Sequence, residues 1–172
     1  MNSFLDTEFQ GFVHRGDTSV FLENTIEAFQ SAVSLGYEYL ETDLRETADG
    51  KIITFHDPNL KRITGANITI SETKFSDIRM RRLPSRETIP TIDELLEEFP
   101  DSFFNMDLKV SHIEDKVLRK INSHNALGRV CLGSFNSRTI KKINALEPKI
   151  LTSMGISPVS YTHLTLPTSD LV

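Results

Sequence analysis

The sequence lacks the features that mark several classes of protein. It contains a single cysteine, Cys131, so no disulfide can form within the chain. No apolar run is long enough to cross a bilayer, and the N-terminal residues MNSFLDTEFQ carry neither the basic nor the apolar segment of a secretory signal. The net charge is −5 without a basic stripe, which argues against a nucleic-acid partner. We therefore predict a protein without a membrane span and with a cytoplasmic location.

Strand-like and helix-like segments alternate along the 172 residues. Short strands are predicted in GFVHRG, YEYLETDLRE, KIITFHD, SFFNMDLKV, RVCLGSF and KILTSMG. Amphipathic helices are predicted between most of them, with Asn24 as a candidate N-cap of the first helix and a capping signal at Thr91 and Glu94 for a later one. Repeated alternation of this kind predicts an α/β fold with a parallel sheet.

Polar residues end four of these predicted strands. They are His14 and Arg15, Glu41 and Asp43, His56 and Asp57, and Asp107 and Lys109. Each pair alone is more typical of a turn or of a solvated strand edge. Because the carboxyl ends of parallel strands form the active face of α/β folds, the four pairs together predict a functional site.

The residue types in these pairs indicate a chemistry. Glu41 and Asp43 share one strand face by period-2 alternation, and a buried pair of carboxylates needs a cation. Hard oxygen ligands of this kind suit Mg²⁺ or Ca²⁺. The two histidines can serve as general acid and base, while Arg15 and Lys109 can bind an anionic substrate. The pattern favours metal-assisted hydrolysis or transfer on an anion.

The pattern HRG…ENT…ETDLRETADGKIITFHD resembles the signature of glycerophosphodiester phosphodiesterases, over about residues 11–157. It extends to Leu60, Arg62 and Thr64 after the HD pair and to Ser134-Phe135 on the fifth strand. The resemblance implies a (β/α)₈ TIM barrel of the phospholipase C-like phosphodiesterase type, with an insertion at about residues 59–90. About six of the eight strands are present, and the family's tryptophan-bearing strand is absent, so an incomplete barrel is expected.

The resemblance also implies an activity and a set of residue roles. Family members hydrolyse glycerophosphodiesters to glycerol 3-phosphate and an alcohol, in lipid and glycerol metabolism. Carried over, the roles are an acid–base pair of His14 and His56, metal ligands Glu41, Asp43 and Asp107, phosphate-binding residues Arg15 and Lys109, and supporting residues Glu23, Asn24 and Asp57. The family commonly has Glu where this chain has Asp107. Asn24 has two interpretations, a substrate-side residue or only the helix cap, and Asp57 is expected to orient His56.

Two alternatives to this function stay open. The first is a related barrel acting as a lysophospholipase D-like phosphodiesterase, because barrel loops set the choice of substrate. The second is an inactive barrel fragment or a non-catalytic binding protein. The sequence does not give the head group of the substrate, the identity of the metal or the oligomeric state.

The last residues, PVSYTHLTLPTSDLV, differ from the rest of the chain. They lack helical or strand periodicity, and residues 158–168 resemble a translated sequencing adaptor. We therefore expect residues 1–157 to be the N-terminal portion of a phosphodiesterase domain and residues 158–172 to be a non-native tail, with a genuine short tail as the alternative. On this interpretation His163 is no catalytic candidate.

Overall fold

A computed structural model describes residues 11–81, 83 and 87–154. This part of the chain forms one sheet with helices packed against it. The strands are β1 (Val13–His14), β2 (Tyr39–Glu46), β3 (Ile52–Thr54), β4 (Phe103–Leu108), β5 (Val130–Ser134) and β6 (Leu151–Met154). The helices are α1 (Ile26–Ser34), α2 (Lys61–Thr64), α3 (Phe75–Arg79), α4 (Ile92–Glu98), α5 (Glu114–Ser123) and α6 (Ser137–Leu146). Short 3₁₀ turns cover Ile70–Glu72 and Leu127–Arg129.

Five strands form the parallel sheet that the sequence predicts, in the order β1-β2-β4-β5-β6. The third strand differs from the prediction, because β3 pairs with β2 antiparallel as the second arm of a hairpin. Residues 47–51 are too short for the crossover that a parallel pair requires, so the chain can only turn back. The turn uses Gly50, whose φ is +78°. The described strands therefore form an incomplete barrel with five of its parallel strands.

The main core lies between the sheet and helices α1, α4, α5 and α6. Period-2 alternation sends Leu40 and Leu44 of β2 into this core, together with Phe104 and Met106 of β4. The alternate residues of the same strands face the other side of the sheet, where polar groups gather. The alternation predicted from YLETDL and FFNMDLK is confirmed.

The insertion at residues 59–90 has more structure than its irregular sequence predicts. It contains α2, a 3₁₀ turn and α3, and it packs with β3 around a small separate core. The buried members of this core are Ile53, Phe55, Leu60, Ile70, Ile78, Leu83 and Ile89. Helices of four and five residues are too short to show a helical period, which is why the sequence pattern misses them.

The first helix begins one residue later than a cap at Asn24 would place it. Thr25 is the N-cap, and its hydroxyl accepts a hydrogen bond from the backbone N–H of Ala28. Asn24 instead has φ +60° and is 1% exposed, so its side chain is available to the sheet. The capping prediction for Asn24 is therefore wrong, whereas the capping box of Thr91 and Glu94 at α4 is confirmed.

Within the described ranges, no helix is long and apolar enough to cross a membrane. The predicted non-native tail, including His163, lies outside the described residues. The division into residues 1–157 and 158–172 stays a prediction.

Candidate active site

Strand register brings the predicted polar residues into two adjacent rows. His14 of β1 is aligned with Glu41 of β2, which is aligned with Asn105 of β4. One step toward the strand ends, Asp43 is aligned with Asp107. These side chains face a cleft of about 300 Å³, lined by His14, Arg15, Glu41, Asp43, His56, Asn105, Asp107, Lys109, Gly133, Ser134, Phe135 and Ser153. Because β1, β2 and β4 run parallel, their carboxyl ends meet at this cleft.

His56 reaches the same cleft by a different route. The β2–β3 hairpin extends past the cleft and then returns, so that Phe55 N–H donates to the backbone carbonyl of Asp43 at 2.9 Å. The next residue is His56, and its own carbonyl accepts a hydrogen bond of 2.7 Å from Arg45 Nε. His56 is thus placed by a hairpin rather than by the end of a barrel strand, which corrects the sequence interpretation.

Arg15 turns sharply at the end of β1. Its φ is +61°, a left-handed conformation that is costly for a residue with a side chain and that clusters at functional sites. Its backbone N–H continues the β1–β2 ladder by donating to the Glu41 carbonyl at 3.0 Å. Its guanidinium then lies between two carboxylates, with Nε 2.9 Å from Asp43 Oδ2 and Nη1 3.3 Å from Glu23 Oε1. The left-handed turn therefore places the Arg15 guanidinium beside Asp43 in the cleft.

Gly16→Ala is expected to lower the free energy of unfolding by about 3 kcal/mol. Gly16 has φ +81°, and a Cβ there would lie 2.7 Å from the backbone carbon and the Cβ of Ala28. Left-handed backbone costs about 1–2 kcal/mol and overpacking adds about 1–3. Gly65→Ala is the matched control, because Gly65 also has a positive φ of +75°, but a Cβ at this position would have no atom of the described residues within 4 Å. Urea unfolding should show a loss of only about 1 kcal/mol for Gly65→Ala; equal losses would contradict the clash.

Asp43 is the most buried charge of the site. It is 0% exposed and lies between Arg15 and Lys109, whose Nζ is 2.9 Å from Asp43 Oδ1. Asn24 Nδ2 donates to Asp43 Oδ2 at 3.1 Å, and the hydroxyl of Thr42 donates to Asn24 Oδ1 at 2.8 Å. Asn24 therefore contacts a site carboxylate instead of capping the helix, and its substrate-side role stays a prediction.

Lys109 joins the carboxylates of β2 and β4. Its Nζ lies 2.5 Å from Asp107 Oδ2 as well as close to Asp43, and it sits 5.4 Å from the ring centroid of Phe135. Burial alone would lower the pKa of Lys109, but hydrogen bonds to Asp107 and Asp43 outweigh it and raise the pKa. The lysine is therefore a permanent positive charge at the cleft.

Glu41, unlike Asp43 and Asp107, makes no close ion pair with Arg15 or Lys109. Its Oε2 is buried and receives no hydrogen bond from the described residues, and its nearest basic group is His14 Nε2 at 3.8 Å. Burial, reinforced by the charge of Asp43, raises the pKa of Glu41 to about 7. Partial burial and the adjacent Arg15 lower the pKa of His14. This corner of the cleft is thus short of positive charge at neutral pH.

Behind His56 lies a chain of charged groups. His56 Nδ1 is 2.7 Å from Asp57 Oδ1, and Asp57 Oδ2 accepts from Arg62 Nε at 2.6 Å. The other two guanidinium nitrogens of Arg62 donate to Glu23, which also accepts from Arg15. An orienting role of Asp57 toward His56 requires this contact, and the role itself stays a prediction. The sequence resemblance includes Arg62, five residues after Asp57, but it assigned Arg62 no role.

Comparison with known proteins places the chain in a family. The model of the glycerophosphoryl diester phosphodiesterase family matches residues 14–168. The chain belongs to this family. A probable glycerophosphodiester phosphodiesterase of Mycobacterium tuberculosis is 35% identical over 144 residues, which cover 83% of this chain and 54% of that protein. A lysophospholipase D of Mus musculus is 33% identical over 144 residues, covering 75% of this chain and 46% of that protein.

The fold agrees with solved structures of the glycerophosphoryl diester phosphodiesterase family. An Oleispira antarctica phosphodiesterase, solved in complex with the product sn-glycerol-3-phosphate, superposes with a TM-score of 0.76 at 25% identity. The match covers 86% of this chain and 66% of that one. The predicted α/β barrel class is therefore confirmed. The chain spans about half the length of the curated relatives described above.

Every predicted site residue of this family domain lies at the cleft or directly behind it. Seven line the cleft: His14, Arg15, Glu41, Asp43, His56, Asp107 and Lys109. Glu23, Asn24 and Asp57 contact them from behind, through Arg15, Asp43 and His56 respectively. The structure adds Arg45, which holds the His56 carbonyl, and Asn105, which accepts from the hydroxyl of Ser153 at 3.2 Å. The catalytic and binding roles of these residues stay predictions.

The three predicted metal ligands do not by themselves form a cage. Among the described residues, no group of three or more His, Cys, Asp or Glu side chains has a spacing that could hold a metal ion. Two of the three, Asp43 and Asp107, are paired with Lys109. Glu41 Oε2 is nevertheless buried beside these carboxylates and receives no hydrogen bond from the described residues. A hard divalent cation would compensate such a carboxylate oxygen. Carboxylate oxygens are the ligand type that Mg²⁺ and Ca²⁺ prefer, and the metal site stays a prediction.

Glu41→Gln is expected to remove a pH-dependent loss of stability. The pKa of Glu41 is about 7 in the folded protein against an ordinary value of 4.5. Because the folded-state pKa is the higher one, the stabilising contribution is complete below pH 4.5 and is lost as the pH rises through 7. The parent chain should lose about 3 kcal/mol over this interval that the variant does not lose.

Urea unfolding at pH 5 and pH 8 in metal-free buffer measures this difference. Glu97→Gln is the matched control, because Glu97 is an exposed residue of α4 that does not line the cleft. The control should keep the full decline of the parent. An equal decline in Glu41→Gln would show that Glu41 ionises normally.

Proposed function

We propose that this chain carries the catalytic half of a metal-dependent phosphodiesterase that hydrolyses glycerophosphodiesters to glycerol 3-phosphate and an alcohol. The observation that carries the proposal is one cleft that joins two histidines, two cations and three carboxylates. The family match supports the reaction type. The Oleispira antarctica phosphodiesterase, which holds glycerol 3-phosphate as its product, supports the substrate class. A role in lipid and glycerol metabolism and a cytoplasmic location belong to this proposal.

The cations of the cleft suit a phosphodiester anion. Arg15 offers a planar fork for two phosphate oxygens, and Lys109 offers a point charge on the opposite side of Asp43. Both side chains are mostly buried, at 16% and 14% exposure, so their charges are weakly screened by water. They would stabilise the negative charge that develops on the phosphate oxygens in the transition state.

The two histidines differ in a way that suits opposite proton transfers. The lowered pKa of His14 leaves its ring neutral at pH 7, the form that accepts a proton from the nucleophile. Asp57 Oδ1 lies 2.7 Å from His56 Nδ1, so it holds that side of the ring and leaves Nε2 to face the substrate. This asymmetry favours His14 as the base and His56 as the acid that protonates the leaving alkoxide.

A divalent cation completes the proposal. Glu41, Asp43 and Asp107 would hold it, and when bound it would neutralise charge on the phosphate. Carboxylate ligands suit both Mg²⁺ and Ca²⁺. The cation would also compensate Glu41, whose buried oxygen receives no hydrogen bond from the described residues.

The test is release of glycerol 3-phosphate from glycerophosphocholine by the purified chain, before and after EDTA treatment. The proposal expects release that stops with EDTA and returns with Mg²⁺ or Ca²⁺. Release that persists in EDTA would overturn the metal dependence. Absence of release under every condition would favour the inactive fragment or binding protein.

A lysophospholipase D activity is the second candidate. The observation that favours it is the 33% identity to the lysophospholipase D of Mus musculus. Lysophosphatidylcholine offered beside glycerophosphocholine separates the two, because only the second candidate expects the acylated substrate to be cleaved faster. Equal or slower cleavage of lysophosphatidylcholine favours the first candidate.

A further inference from the structure

A guanidinium outside the cleft connects two walls of the site. Arg62 lies on α2 in the insertion, and its side chain is 47% exposed. Its Nη1 and Nη2 donate to the two oxygens of Glu23 at 3.1 and 2.6 Å. Its Nε donates to Asp57 Oδ2 at 2.6 Å. All three guanidinium nitrogens are therefore engaged by two carboxylates from different loops.

Each of these carboxylates holds a side chain that lines the cleft. The second oxygen of Asp57 lies 2.7 Å from His56 Nδ1. Glu23 Oε1, which accepts from Arg62, also accepts from Arg15 Nη1 at 3.3 Å. The contacts run in one line from Arg15 through Glu23, Arg62 and Asp57 to His56. Arg62 is the centre of this line and does not line the cleft itself.

We infer that Arg62 is a positioning residue, which fixes the His56 ring through Asp57 and the Arg15 guanidinium through Glu23. The inference rests on the proposed function for its catalytic consequence. Exposed ion pairs are usually worth little, because their side chains are mobile and screened. Arg62 differs because its planar fork binds one carboxylate with two nitrogens and a second carboxylate with the third.

The loss of Arg62 would release both neighbours. The His56 side chain is 36% exposed, and Arg45 holds only its backbone carbonyl, so the ring depends on Asp57 for its orientation. With Arg62 absent, Asp57 loses its other hydrogen-bonded partner and is free to rotate. Glu23 would then have both oxygens free to draw Arg15 away from Asp43. A lysine could not replace the fork, because one ammonium cannot span two carboxylates in this geometry.

Three variants test the inference. Arg62→Met removes every donor while keeping an unbranched stem, and Arg62→Lys keeps only the charge. Arg79→Met is the matched control, because Arg79 makes a similar surface pair of 2.6 Å with Glu94 on α4. The inference expects kcat to fall by about 10- to 100-fold in both Arg62 variants, with a smaller change in KM and no change in the control.

A double-mutant cycle separates positioning from a general structural effect. Arg62→Met combined with Asp57→Asn should cost little more in kcat than either change alone, because both break the same line of contacts. Melting temperatures of all variants should stay within a few degrees of the parent. Additive losses in kcat would contradict the inference.

The ring of His56 gives a readout that needs no activity. In ¹⁵N-labelled parent chain, a proton on Nδ1 held by Asp57 should exchange slowly and give a sharp signal. That signal should broaden or shift in Arg62→Met and in Arg62→Lys, and stay unchanged in Arg79→Met. An unchanged signal in both Arg62 variants would overturn the inference. If the signal changes in the Arg62 variants while the parent chain shows no phosphodiesterase activity, the positioning role is sustained and the proposed function is refuted.

Discussion

His56→Ala is expected to lower kcat for glycerophosphodiester hydrolysis by about 100- to 10,000-fold. The reason is that the alanine variant has no group to protonate the leaving alkoxide, while Asp57 and Arg62 remain in place. His14→Ala should lower kcat to a similar extent, because it removes the proposed base. KM should change little in both, because Arg15 and Lys109, the proposed phosphate-binding residues, are unchanged. Initial rates over a range of glycerophosphocholine concentrations measure both constants.

His124→Ala is the matched control for the loss of a histidine. His124 also contacts a carboxylate, with Nε2 3.0 Å from Asp93 Oδ1, but it caps α5 and lies outside the cleft. Its kcat should stay within about twofold of the parent. Full activity in either His14→Ala or His56→Ala would overturn the acid–base assignment.

Asp43→Ala is expected to lower the free energy of unfolding by about 3 kcal/mol, and the melting temperature by about 10 °C. Asp43 is 0% exposed, and its removal leaves Arg15 and Lys109 facing each other across a buried gap. Asn24 Nδ2 would also lose its acceptor. The remaining partners Glu23 and Asp107 limit the loss. Thermal unfolding followed by circular dichroism measures the change.

Asp115→Ala serves as the matched control for this loss. Asp115 pairs with Lys142 at 3.4 Å, and its side chain is 49% exposed, so the change should cost less than about 1 kcal/mol. A loss in Asp43→Ala no greater than in the control would show that the buried pairs contribute nothing to stability. In either case Asp43→Ala should lose activity, because it disorders Arg15.

Much of the candidate site was predictable from local sequence patterns. Strand alternation alone placed Glu41 with Asp43 and Asp107 with Lys109 on one face, because a strand repeats every two residues. The rule that parallel strands present their carboxyl ends together then brought His14 and Arg15 to the same place. These inferences need only the local period of the chain and the parallel direction of the predicted strands.

Other features depended on distances along the chain that local patterns do not encode. The direction of β3 was set by the short connection after Glu46, which forces a hairpin where alternation had predicted a parallel strand. Asn24 looked like a helix cap because capping and site residues use the same polar amide. Its side chain bonds Asp43 and Thr42 on the sheet, a contact that appears only when α1 packs there.

The sequence by itself determined the class of the fold, the face on which the charges lie and the identity of the residues at the strand ends. Tertiary structure alone decided which charges compensate one another. Asp43 is held between two cations, whereas Glu41, two residues away on the same face, has a buried oxygen without a hydrogen bond from the described residues, and burial raises its pKa to about 7. Arg62, from the insertion, joins Glu23 and Asp57 into one line of contacts. The physical reason is that burial and Coulomb interactions depend on distances in space, which the period of a strand does not specify.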